Sequence, residues 1–283
     1  AIFGSSAAQI NVLVGGIIAS MLPVGSISYL YFSDRLMEFP LGIFGIALGT
    51  VTLPYLSRLW AKDDKQAFRQ TLDWSLKIAF LIAVPAAVGL FMLAEPLVAA
   101  LFFGGVFDEY AVRMTASALK AYAMGLVGFS FVKILAPAYF AREDTKTPVR
   151  IALLALLVNL ILSVGLAWYM SINNIAGPHV GLAAATSVAA ALNAALLYRG
   201  LRNTRILRHS AGWPIFLARV AIACITMLAA LNYLNQPIEW WIDTTFVERV
   251  IWLAVSVGAG MGTYFLTMLL MGARVKQFKL QAD

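Results

Sequence analysis

Apolar residues run through this chain in blocks long enough to cross a bilayer, separated by short clusters of charge. About 20 consecutive apolar residues span the hydrocarbon core as a helix. Eight stretches approach that length: 9–32, 39–60, 72–94, 116–141, 149–170, 180–201, 213–234 and 247–271. The pattern predicts an all-α transmembrane fold with about eight spanning helices. Composition agrees, because 283 residues that are 61% hydrophobic and 12% charged cannot hide so much apolar surface in a soluble core.

Charge then sets the expected orientation. Arg58, Lys62, Lys65, Arg69 and Lys77 follow the second stretch, Arg142, Lys146 and Arg150 the fourth, and Arg199, Arg202, Arg205 and Arg208 the sixth, with Arg274, Lys276 and Lys279 in the tail. The alternate loops are acidic or nearly uncharged, with Glu95, Asp108, Glu109, Glu239, Asp243 and Glu248. The positive-inside rule places both ends in the cytoplasm. The net charge of +7 thus reads as topology and anionic-lipid contact, and nucleic acid is excluded as a partner. KDDKQAFRQTL, residues 62–72, could form a short interfacial connector.

Pro23, Pro54, Pro85 and Pro137 fall inside predicted spans, where each removes a backbone donor and tends to kink its helix. Gly42, Gly45 and Gly49, and the face Ala183, Ala184, Ser187 and Ala191, are small residues that let helices approach closely.

The main chemistry candidate is Asp34, Arg35 and Glu38, an ionisable cluster joined to the end of the first stretch. On a helix, Ser28 and Arg35 fall on nearly one face, and Asp34 neighbours Glu38. A guanidinium is always charged and holds oxyanions through a fork of donors, so a diphosphate or carboxylate would suit Arg35. The same residues could instead be a self-neutralising cluster capping a turn before Pro40. Lys133, in FSFVKILAPAYF, could line a polar cavity or snorkel to the interface. Asn159 with Ser163, and Thr186, Ser187 and Asn193, could ligate a monovalent cation through oxygens, without a carboxylate, or bond between helices.

Enzyme signatures are missing. His179 and His209 sit in predicted loops without metal-ligand spacing, no phosphate-cradling glycine loop occurs, and Cys224 alone supports neither a disulfide nor a thiolate metal site. No catalytic, cofactor-binding or metal residue is expected. The opening AIFGSSAAQINVLVGG lacks a basic n-region and a cleavage site, which suggests a fragment or a processed half.

Two runs carry a family resemblance. QINVLVGGIIASMLPVGSISYLYFSDRLMEFPLGIFGIALGTVTLPYLS, residues 9–57, resembles the seventh and eighth helices of the MurJ/MviN lipid II flippases, of the multidrug/oligosaccharidyl-lipid/polysaccharide exporter superfamily. VKILAPAYFAREDTKTPVRIA, residues 132–152, resembles that family's tenth and eleventh helices. The resemblance implies two six-helix lobes around a cavity plus two extra helices. This chain would supply the second lobe (1–208) and the extra pair (209–283), which would form a groove for the lipid tail. Its partners would be the N-terminal six-helix lobe, membrane lipids and lipid II, a polyprenyl-diphosphate glycolipid.

By the same resemblance Arg35 matches a cavity arginine that holds the diphosphate headgroup, with Ser28, Asp34 and Glu38 in its signature; Lys133 joins them as a candidate substrate contact. The protein would be a multi-pass transporter of the bacterial inner membrane, working by alternating access and not an enzyme. Monovalent cation coupling is doubtful, because Asn159 and Ser163 stand where some relatives place carboxylates. A flippase for another polyprenyl-linked precursor, a drug or cation antiporter of the same superfamily, a membrane enzyme acting on polyprenyl phosphates, and a non-transporting scaffold are the alternatives.

Overall fold

In the computed structural model of the chain, residues 13–207, 210 and 212–273 are described, without the side chains of 43–51. The start of the first stretch, Gly45, Gly49, Arg208, His209, Arg274, Lys276 and Lys279 therefore lie outside the described residues or side chains. The described residues form helices: α1 (13–20), α2 (Ser26–Ala61), α3 (Lys65–Met92), α4 (Ala94–Phe102), α5 (Glu109–Phe140), α6 (Lys146–Ile172), α7 (His179–Asn203), α8 (Trp213–Leu234), α9 (Ile238–Asp243) and α10 (Phe246–Leu270). Six of them, α3, α5, α6, α7, α8 and α10, are long and apolar enough to cross a membrane. With α1 and the 36-residue α2 added, the number is roughly consistent with the expected eight or so.

The first two spans divide in a different place from the one expected. The chain turns at residues 21–25, and α2 then runs unbroken through Asp34, Arg35, Glu38 and Pro40. Pro23 belongs to this turn and kinks no helix; its carbonyl accepts bonds from the Ser26 amide (3.1 Å) and hydroxyl (2.7 Å). Gly25 sits at φ 96°, a backbone conformation that requires glycine, and a Cβ there would push the Tyr29 ring aside. The proposed connector at 62–72 is a tight turn followed by the first turns of α3, whose N-terminus Asp64 caps through the Ala67 amide at 2.9 Å. His179 is the first residue of α7 rather than a loop residue; it is buried, with Nε2 3.1 Å from the Met114 carbonyl.

Helix α5 is central, packed against α2, α3 and α7, with α6 beyond α7. Small residues permit the closest approach. A Cβ on Gly125 would meet the Ser187 Cα at 2.7 Å, and one on Gly128 the Ala191 nitrogen at 2.8 Å. Helices α8 and α10 pair with each other and lean on α3 and α4, burying Cys224, Met227 and Tyr264. Buried Asp73 of α3 ties the start of α8 to this assembly: its carboxylate accepts from Trp213 Nε1 (2.6 Å) and Ser210 Oγ (3.0 Å) and pairs with Lys77 Nζ (3.2 Å).

Candidate functional site

The orientation of α2 follows from its two faces. Ser26, Ser33, Met37 and Leu41 are buried, a stripe at near-helical spacing. Ser33 Oγ donates to the Thr115 carbonyl of α5 at 3.0 Å and to the Tyr29 carbonyl, which pins that face inward. Arg35 lies two residues, roughly 200°, around the helix from Ser33 and so faces away from the core. Residues 34–38 stand about 12–18 Å along the helix from Ser26, so the cluster lies within the helix and caps no turn.

Asp34, Arg35 and Glu38 line an open cavity of about 630 Å³ between α1, α2, α6 and α7, within the size range of small-molecule clefts. Arg35 Nη1 donates to Glu38 Oε2 at 2.6 Å, with both side chains more than half exposed. Its guanidinium also lies 5.1 Å from the centre of the Tyr31 ring. An exposed pair of this kind adds little stability. It does hold the guanidinium in place. Glu38 occupies one arm of a group with five donors, which leaves much of the fork open to a ligand.

Across the cavity stand Tyr122 of α5, Asn159 and Ser163 of α6 and Thr186 of α7. Asn159 Oδ1 receives the hydroxyls of Ser163 and Thr186, each at 3.4 Å, so interhelical bonding is present here. The sequence pattern supplies these residues with no carboxylate, but in the fold Asp34 lines the same cavity. Their donor set is wholly oxygen, the chemistry suited to a hard cation.

The other two candidates sit elsewhere. Ser28 is exposed on α2 but does not line the cavity, and Lys133 donates from α5 to the Leu41 carbonyl of α2 at 3.2 Å, bridging the two helices just beyond Pro40. Tyr31 and Tyr122 escaped the sequence reading. Tyr31 was within reach of it, because a residue four before Arg35 shares its helix face; Tyr122 lies far along the chain and carries no such signal.

The profile of the family described as "Lipid II flippase MurJ" matches residues 1–252. The chain belongs to the MurJ lipid II flippase family. A protein of Vibrio cholerae named "Probable lipid II flippase MurJ" is 41% identical over all of this chain and 53% of its own length. The protein of the same name from Haemophilus influenzae is 42% identical over 97% of this chain and 53% of its own. A solved MurJ, described as "Lipid II flippase MurJ, inward closed conformation", superposes with a TM-score of 0.76 at 25% identity, covering 94% of this chain and 51% of that one. The chain thus spans about half the length of the MurJ relatives it matches. With its apolar helices, family membership makes it a multi-pass membrane protein.

Proposed function

We propose that this chain forms the second half of a flippase that moves lipid II between membrane leaflets. One observation carries the reading: in a chain of the MurJ family, Arg35 of the long helix α2 opens to a cavity and is bonded to a single carboxylate. A diphosphate entering the cavity competes with Glu38 for the guanidinium and offers it more acceptor oxygens. Moving phosphates through hydrocarbon would cost tens of kcal/mol by idealised solvation, and a polar cavity avoids most of that cost.

The cycle is alternating access. Residues 1–208 act as one lobe that rocks against a second six-helix lobe, so that the cavity opens first to one side and then to the other. Residues 209–283 supply an apolar groove for the polyprenyl tail. The basic loops face the cytoplasm and the protein resides in the bacterial inner membrane. The chain's residues bind and release the substrate without making or breaking its bonds. If transport is coupled to a monovalent cation, Asp34, Asn159, Ser163 and Thr186 would hold it.

The test is Arg35→Ala in the full-length protein. Lipid II translocation and cell-wall complementation are lost while the membrane level is kept. Undiminished translocation and complementation by that variant would overturn the role given to Arg35, and a new lipid species in mass spectra would mark an enzyme.

A further inference from the structure

At the end of the bundle that carries the basic loops, far along α2 from the cavity, three of those loops converge. A pocket of about 220 Å³ is lined there by Trp60 of α2, Lys65, Phe68 and Arg69 from the start of α3, and Thr204 and Ile206 after α7. Arg142, following α5, is not part of the lining but stacks on its Trp60 wall, with its guanidinium 5.2 Å from the ring centre. The pocket is smaller than the roughly 300–1,000 Å³ of drug-sized sites and suits a compact group.

The two arginines here have donors without acceptors. Arg69 Nε, Arg142 Nε and Arg142 Nη1 are buried and bond to nothing among the described residues. Buried donors of a charged group are costly to leave unmade, so such a set is expected to have a partner. The nearby carboxylates make no hydrogen bond to these three nitrogens, although Asp144 lies close enough to Arg142 to interact with its charge. Asp63 pairs with Lys65 at 3.0 Å, Asp64 caps α3, Asp144 accepts from the Thr147 amide at 3.0 Å, and Asp73 is taken by Trp213, Ser210 and Lys77. Arg202 and Arg205 at the end of α7 add positive charge.

We propose that this pocket binds a phosphate, with Arg69 and Arg142 supplying the forked donors, Lys65 the point charge and Trp60 the wall that orients Arg142. Basic pockets between helices at a membrane surface take anionic headgroups in this way, and free phosphate offers the same oxygens. The site is separate from the Arg35 cavity, and the proposal does not depend on what the cavity transports.

The experiment uses the full-length protein in phosphatidylcholine nanodiscs, titrated with dioleoylphosphatidylglycerol and read by native mass spectrometry. The parent binds the anionic lipid in preference to phosphatidylcholine. R69Q/R142Q weakens that binding about tenfold, the size expected for losing charge-assisted bonds, whereas R219Q on α8 leaves it unchanged. Displacement by millimolar inorganic phosphate identifies a site open to free phosphate; persistence of the lipid identifies a headgroup site. Equal affinity of parent and R69Q/R142Q for the anionic lipid, with no phosphate binding lost, overturns the proposal. Amide exchange on the unmodified protein gives a test that requires no variant to fold. Residues 58–70 and 200–206 slow when phosphatidylglycerol or phosphate is added, and unchanged exchange with both overturns the proposal as well.

Discussion

Arg35 and Arg249 are the same side chain used in two ways. Arg249, near the start of α10, is buried, and its guanidinium donates to the carbonyls of Thr244 (2.8 and 3.1 Å), Ile242 (2.9 Å) and Phe103 (3.4 Å) while covering the Phe103 ring. Backbone carbonyls cannot move away or change charge, so Arg249 fastens the α9–α10 corner to the loop after α4. Arg35 has one flexible carboxylate and an aromatic ring, in an open cavity. A cation that is fully satisfied by fixed acceptors is structural, whereas one held by an exchangeable carboxylate is available to a ligand.

The largest expected effect separates these roles at once. Arg249→Met leaves several buried carbonyls without a donor and should lower stability by about 3 kcal/mol, with transport per folded molecule unchanged, as measured by denaturation in detergent beside a flipping assay. Arg35→Ala should do the reverse: a melting temperature like the parent's and translocation down about 10- to 100-fold, the range for a lost charge-assisted contact. A large stability loss in Arg35→Ala would break the comparison.

Lysine in place of each arginine sharpens it. Arg35→Lys keeps the charge but not the fork and should retain part of the transport in the same flipping assay, with a loss of roughly tenfold or less. Arg249→Lys puts a single ammonium where three separate carbonyls must be reached and should still cost about 1–2 kcal/mol in the detergent melt. The smallest effect concerns a carboxylate with a fixed duty. Burial raises the Asp144 pKa, but hydrogen bonds from Thr147 and the nearby Arg142 outweigh it and hold the carboxyl below its ordinary value. Its contribution is therefore complete above the unfolded value of about 3.9 and is lost as pH falls through the folded one. Asp144→Ala should cost about 1 kcal/mol at pH 7, with parent and variant converging on acidification in pH-dependent melts.

Hydrophobic periodicity made most helices legible, and a charged triplet at 34–38 pointed to the cavity. The same triplet concealed where the chain turns. Charge inside an apolar run reads as a loop, yet here it lies toward the open cavity on α2, with Arg35 opposite buried Ser33 and Met37. The real turn at 21–25 is written in apolar residues with Pro23 and Gly25, which hydropathy cannot distinguish from a span. The short helices α4 and α9 were missed for a related reason, since they are too brief to show a period. What brings Tyr122, Asn159 and Thr186 opposite Asp34 is the packing of α5, α6 and α7, which no local pattern encodes. Lys133 illustrates the converse: a lone cation in an apolar run is conspicuous, but only the fold shows its ammonium on the Leu41 carbonyl.

If the chain handles a long-tailed lipid as proposed, the Asp73 clasp would bear on how that tail moves. Trp213, Ser210 and Lys77 converge on one carboxylate, so α8 is coupled to α3 at its root. A tilt of α3 would then be expected to carry the start of α8 with it. A hydrocarbon chain resting along that helix would travel in step with the head it carries, keeping the two ends of one molecule in register throughout the stroke.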